Sequence, residues 1–358
     1  MPPRGAPTVD QWPDRAERYL DLVGAGDEDG AVALVNRLLD DGVPAERVLL
    51  DVISAAQARV GQLWADNQWS VAREHAATAI SERAVAAVAA RTGTRPYRGR
   101  ITVACVDGEW HALPGRILAE VLRLRGWRVD YLGANVPGPH LVTHLHQTDA
   151  DAVALSCMLP TRLPRAHATI AACRAVGVPV IAGGPGFGPD GRHARLLGAG
   201  TWVARADTAA DDLASGDWPP STAPDTGVHY ASEEYHRLVR RRPELIDASW
   251  RRLAAVYPPV ADYDQWQRES TLEDLGHIVD FLAAALYVDD PRVFTDFAAW
   301  TTQVLAARHV PGVAVTTGMG ILHELLSDQP RARHMLTLGM RQVRAVAGDR
   351  LTSQRVAA

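Results

Sequence analysis

Lysine is missing from this 358-residue chain: all 37 basic residues are arginine. That excludes a Schiff base to pyridoxal phosphate or retinal, and it excludes the lysine of a phosphate-binding P-loop. Cysteine is almost missing too. Cys105, Cys157 and Cys173 have no metal-ligand spacing, and Cys105 and Cys157 fall in or beside strand-like runs, so buried free thiols in a reducing cytoplasm are expected. No basic block offsets the net charge of −5, which argues against a phosphate-neutralising nucleic-acid surface. No apolar run reaches the length of a membrane span, and no signal-peptide pattern opens the chain at MPPRGAPTVDQW. A cytoplasmic protein without nucleic-acid or membrane partners is the expectation. What remains is an ordinary soluble composition, long enough for two or three domains.

Helical patterning fills residues 11–91, with segments expected at Gln11–Val23, Asp27–Leu39, Ala45–Asp66 and Ser70–Arg91. Apolar residues recur at three- and four-residue spacing, as in Val48, Val52, Ala55, Ala56, Val60 and Leu63. Short connections imply an antiparallel four-helix bundle. From residue 100 to 216 short apolar runs (101–106, 127–133, 152–156, 178–184, 201–204) alternate with helical stretches. That alternation means a doubly wound, Rossmann-like parallel sheet, which binds ligands beyond the carboxyl ends of its strands. Residues 217–230 are a Pro-rich linker. Residues 231–349 turn helical again, with Leu272, Leu275, Val279, Leu282 and Leu286 as one apolar stripe. The expected class is α/β plus all-α, in three parts.

Two stretches carry chemistry. In VDGEWHALPG, His111 falls in the loop after the first strand, with Glu109 two residues earlier. Ser156 ends the third strand, followed by Cys157 and Met158, and Gly183-Gly184 ends the fourth. A loop histidine alone is more often an ordinary hydrogen-bonding group than a ligand, but these companions meet at one crevice edge. In LWADNQWSVAREHA, Trp64 closes one helix and Glu74-His75 opens the next, with Ser70 as N-cap. A core indole and a solvated Glu-His pair are the bland alternative.

The first set resembles the cobalamin-binding domains shared by methionine synthases, corrinoid proteins and B12-dependent photoreceptors. The resemblance implies that His111 ligates cobalt from below, supported by Glu109, and displaces the dimethylbenzimidazole tail. The tail would run beside Ser156, Met158, Gly183 and Gly184. Pro114 stands where those domains have Gly, and Met158 where they have Leu. The second set resembles the adenosylcobalamin-binding, light-sensing regulators, in which the bundle caps the upper corrin face. This implies that Trp64 packs on the upper ligand, Glu74 hydrogen-bonds the adenosyl group and His75 lines the same pocket. A histidine that follows the tryptophan in some relatives is Ala65 here.

No winged-helix or helix-turn-helix pattern precedes residue 11, and residues 271–311 instead resemble globin-like sensor domains. The order of bundle, B12 domain and globin-like domain resembles the photocobilins, B12 photoreceptors that also bind biliverdin. Without a cysteine there, a bilin would be held noncovalently. Glu273, His277 and Asp280 share one helix face; they would meet pyrrole nitrogens or ring carbonyls, or simply form a solvated face. Arg240, Arg241, Arg268 and Arg308 are candidate propionate partners, and Trp266, Phe281, Phe294, Phe297 and Trp300 are candidate cleft walls or ordinary core. His277 and His309 are also candidate ligands for haem, the usual cargo of globins. The leading reading is a non-enzymatic light sensor with light-dependent homo-oligomeric assembly and a downstream signalling partner. The alternatives are a corrinoid methyl shuttle and a haem-globin sensor with B12 as co-regulator.

Overall fold

The computed structural model describes residues 12–93, 95–216 and 232–356, with side chains to residue 348. The expected Pro-rich linker at 217–230 lies outside the described residues. The chain divides into two compact units, Met1–Met158 with Arg165–Ala223, and Leu159–Pro164 with Pro224–Ala358.

The first unit opens with helices α1 (Trp12–Ala25), α2 (Glu28–Asp40), α3 (Ala45–Arg47), α4 (Ala55–Ala65) and α5 (Val71–Arg91). Between α3 and α4, Val48–Ser54 is π-helical. A straight α-helix was the expectation for 45–66. The wider turn still buries Val48, Leu49, Val52 and Ile53, so the apolar pattern alone does not reveal it. Asp27 caps α2 and Ser70 caps α5 through side-chain oxygens that accept from Gly30 N–H and Arg73 N–H.

Five parallel strands follow: β1 (Arg100–Cys105), β2 (Arg128–Gly133), β3 (Ala152–Ser156), β4 (Val180–Gly183) and β5 (Thr201–Val203). Their order is β2-β1-β3-β4-β5. The helices between them are α6 (Leu113–Leu124), α7 (Gly138–Thr148), α8 (Leu163–Ala175) and α9 (Arg192–Leu196), and α10 (Ala206–Ser215) follows β5. The sequence pattern missed α10: ADTAADDLAS buries only Ala209, Ala210 and Leu213, too few and too small to mark a period. The chain runs from β1 outward to β2 and then crosses back to β3. The gap between β1 and β3 is therefore the switch point, where such sheets open a ligand crevice.

One continuous core joins the helices to the sheet. Tyr19, Val35, Ile53, Val60 and Val85 belong to the same buried cluster as Leu113, Ile117, Leu122, Ile101 and Leu213. At the rim, Arg125 pairs with both Glu46 oxygens at 2.7 and 2.8 Å. The direction of α5 is fixed as well. Its end (Ala89, Thr92, Gly93) lines one cavity with Glu120, Arg123 and Arg128, at the start of β2. Farther back along α5, Glu82 is close enough to act electrostatically on Tyr131, near the end of β2. The first turns of α5 therefore point to the crevice edge, with Glu74 eight residues, roughly 12 Å, beyond Glu82.

The second unit contains α11 (Glu233–Val256), α12 (Gln265–Val288), α13 (Pro291–Ala307), α14 (Gly312–Leu325) and α15 (Pro330–Val356). One helix runs through Pro243. Leu238, Leu245, Ser249 and Leu253 are buried on both sides of the proline, and that shared face outweighs the lost backbone bond. α12 begins at Gln265, because Asp264 and Gln267 form a reciprocal capping box. Leu275, Val279, Leu282 and Leu286 are buried as the stripe predicts.

Candidate functional site

β1 and β3 end side by side, with Cys105 opposite Ser156. The loops that follow them flank the switch point. Glu109, in the first loop, is fully buried. Its Oε1 accepts from His111 N–H at 3.0 Å and lies 2.5 Å from His111 Nδ1. Its Oε2 accepts from Met158 N–H in the second loop at 2.7 Å. Burial pushes the Glu109 carboxyl up, but its hydrogen bonds from His111 and Met158 outweigh burial and hold it below the usual range. It is therefore ionised at neutral pH and can only accept. The proton between it and the ring then sits on Nδ1, which gives Nε2 the lone pair. The His111 side chain is 55% exposed, so a fixed imidazole stands at the mouth of the crevice.

Chemically, this arrangement can offer a metal one imidazole ligand. A carboxylate behind Nδ1 orients the ring and raises its basicity. Among the described residues, no group of three or more His, Cys, Asp or Glu side chains is placed to hold an ion. One oriented imidazole suits a metal that brings its own macrocycle. Cys105 is no rival ligand: burial, with the Glu109 charge next, pushes its thiol up to about 12, and the thiol donates weakly to His111 O at 3.7 Å. All three cysteines are free and buried, as expected. Tyr131 donates to Ala112 O at 3.0 Å, which supports the loop where α6 begins.

The two glycines have different reasons. Gly184 has φ +99°, and a Cβ there would meet Cys157 O at 2.3 Å. Its own backbone demands glycine. A Cβ on Gly183 would meet only Val203 O, at 3.5 Å. The missing side chain at Gly183 leaves open space beside it, while Gly184 is glycine for its own backbone. Ser156, 6% exposed, sits beside them.

At the crevice end of the bundle, Gln57 donates to Thr78 Oγ1 at 2.6 Å and Thr78 donates to Glu74 Oε1 at 3.1 Å. His75 Nδ1 lies 2.7 Å from Glu74 Oε2 and 2.9 Å from Val71 O. Trp64 stands seven residues from Gln57, on the same face of α4, and is half-buried. Trp12 and Trp69 are core indoles of the bundle: Trp69 is 8% exposed, under the Arg73 guanidinium and against Gly24. Gln57 and Thr78 were not anticipated. The seven-residue step from Gln57 to Trp64 was the available signal.

The expected polar face of the second unit lies on α12. Glu273 and His277 are exposed. Asp280 is held by Arg242 in a two-point ion pair at 2.6 and 2.8 Å, which explains it without a ligand. Asp274 was not anticipated; burial pushes its carboxyl up to about 6, against the smaller pull of His277 and Arg308. Of the arginines, Arg241 pairs with Glu244, Arg268 donates to Tyr263 O and Arg308 donates to Val304 O; Arg240 is exposed. Phe294 and Phe297 are core, Phe281 stacks on Phe297 at 4.1 Å, and Trp266 and Trp300 are exposed. His309 is exposed, with φ +63°.

Comparison with known proteins agrees with the first unit. Residues 99–214 match a B12 binding domain model, and residues 15–89 match a second B12 binding domain model. The helices and the sheet of this unit are therefore of the B12-binding type. The chain is 32% identical over 192 residues to the HTH-type transcriptional repressor CarA of Myxococcus xanthus, a match over 52% of this chain and 62% of that protein. The chain thus spans under two thirds of that relative's length. The monomethylamine corrinoid protein of Methanosarcina barkeri superposes with a TM-score of 0.51 at 16% identity, over 57% of this chain and 99% of that one. That likeness concerns the fold. Among the described residues no helix is long and apolar enough to cross a membrane.

Proposed function

We propose that this protein is a light-sensing photoreceptor that binds adenosylcobalamin with its nucleotide base displaced and His111 Nε2 on cobalt. The observation that carries this reading is the buried Glu109 carboxylate, which holds His111 Nδ1 and Met158 N–H together at the switch point. When bound, the cofactor supplies a cobalt–carbon bond that light cleaves. Glu109 orients the imidazole and keeps its proton on Nδ1. Ser156, Met158 and Gly183 border the path of the displaced tail, and Gly184 shapes it. Trp64, with the Gln57–Thr78–Glu74–His75 chain, walls the space above the corrin. With adenosylcobalamin bound, the first turns of α5 would pack on its upper group, and they would lose that partner when the group is released, changing the assembly. The output is signalling to a downstream protein, not catalysis.

The second unit is proposed to hold biliverdin noncovalently in a globin-like manner, near Glu273 and His277. The support here is the resemblance of residues 271–311, together with exposed Trp266 and Trp300. Asp280 is set aside because Arg242 occupies it.

The test uses the full chain loaded with adenosylcobalamin in the dark and then illuminated. The expected result is photolysis in the visible spectrum together with a changed elution volume in size-exclusion chromatography. Photolysis with unchanged elution and unchanged small-angle scattering would count against the sensor. Loading the same chain with biliverdin, and separately with haem, decides the second pigment.

A further inference from the structure

We propose that Asn135 is a positioning residue for His111, acting from the loop after β2 through the backbone of residues 108 and 109. The inference rests on the reading of His111 as a cobalt ligand. Asn135 Oδ1 accepts from Gly108 N–H at 2.7 Å, and Asn135 N–H donates to Glu109 O at 2.8 Å. One residue therefore holds the loop on both sides of the Gly108–Glu109 peptide, from the neighbouring strand end. The next residue adds Val136 N–H to Cys105 O at 3.3 Å.

The backbone of Asn135 has φ +51°, in the left-handed region that asparagine tolerates better than most side chains. Gly108, its partner, has φ +78°. Two such residues facing each other make a rigid corner. What the corner fixes is the start of Glu109. The Glu109 carboxylate has three hydrogen-bonding partners at once, so a small shift of its backbone loosens all three. The ring is then no longer held with Nδ1 on the carboxylate. His111 is thus oriented by Glu109, and Glu109 is aimed by Asn135. Two other contacts of the loop act elsewhere: Asp107 pairs with Arg165 at its exposed side, and Glu109 N–H donates to Val106 O within the loop itself.

Two requirements are separable by substitution. Asn135→Gly accepts the positive φ but has no Oδ1. Asn135→Asp keeps an acceptor oxygen and tolerates the same backbone. Asn135→Ala loses the acceptor and strains the backbone. The first readout needs no cofactor: the 15N shifts of the His111 ring in the full apo chain, assigned against His111→Gln, report which nitrogen carries the proton. Wild type and Asn135→Asp are expected to show the Nδ1–H tautomer, and Asn135→Gly a mixture of the two. The second readout is cobalamin affinity, expected to fall about 10-fold in Asn135→Gly and to recover in Asn135→Asp, in line with outer partners of metal ligands. Wild-type tautomer in Asn135→Gly overturns the proposal, whatever Asn135→Ala does, because the backbone alone would then suffice. A wild-type chain whose cobalamin is not bound through His111 overturns the cobalt reading instead, and leaves the tautomer result to decide the role of Asn135.

Discussion

The two units hold their polar residues in opposite ways. At the switch point of the first, a fully buried carboxylate has its partners fixed and presents one imidazole outward. On α12 of the second, the acidic side chains differ: Glu273 is exposed, Asp274 is half-buried, and Asp280 is paired with Arg242. Spacing along a helix assigns a face and nothing more. Adjacent parallel strands do more, because their register fixes the relation between loops 49 positions apart, such as Glu109 and Met158. The first arrangement leaves an oriented imidazole presented outward; the second is, in large part, accounted for by its own folding.

Substitutions test that contrast, and the largest effect is expected at a glycine. Gly184→Ala combines a positive φ with a backbone collision and should cost about 3 kcal/mol or more. Gly183→Ala should shift the melting temperature little yet weaken cobalamin binding. Equal loss of stability in both variants would mean that the crevice floor is structural throughout. Next comes Glu109→Ala, which strands the Met158 N–H and frees the ring. About 2–3 kcal/mol of stability and roughly 10- to 100-fold in cobalamin affinity should be lost, as read by denaturation and by titration.

A smaller effect of opposite sign is expected in the second unit. Asp274 ionises near 6 when folded and near 4 when unfolded. For an acid whose folded pKa is raised, stability is greatest below the unfolded value. It declines between about pH 4 and pH 6 and is flat above that. Asp274→Asn should abolish this slope and stabilise the apo chain at pH 7 by about 2 kcal/mol, discounted for partial exposure. A destabilised variant at pH 7 would show that the carboxylate is in use. The smallest effect belongs to Asp280→Ala: both partners of its ion pair are partly exposed, so about 0.5–1 kcal/mol is at stake, and pigment uptake should not change. Loss of bilin from that variant would return Asp280 to the ligand site.

Much of this was legible in the sequence. Apolar runs of strand length, set between helical stretches, identify the parallel sheet, and the loop holding Glu109 and His111 follows from its place after the first strand. The cap at Ser70 and the break between Trp64 and Glu74 are equally readable. The rest depends on packing. The π-helical turn at Val48–Ser54 buries the same residues that an α-helix would. Pro243 lies within a helix because the helix shares one buried face across it. Met158 acts through its backbone N–H, which no side-chain motif records. Gln57 and Thr78 meet only because α4 and α5 pack together, and Asp274 is distinguished from Glu273 by depth alone.

His111 is the residue on which cobalamin binding is proposed to depend. The direct measurement is the dark absorption spectrum of the full chain during titration with adenosylcobalamin, for wild type and His111→Ala. The wild type should bind with the nucleotide base displaced and an imidazole on cobalt, while His111→Ala should bind at least about 10-fold more weakly and lose the imidazole-ligated spectrum. Equal affinity and an identical spectrum in the two proteins would contradict it.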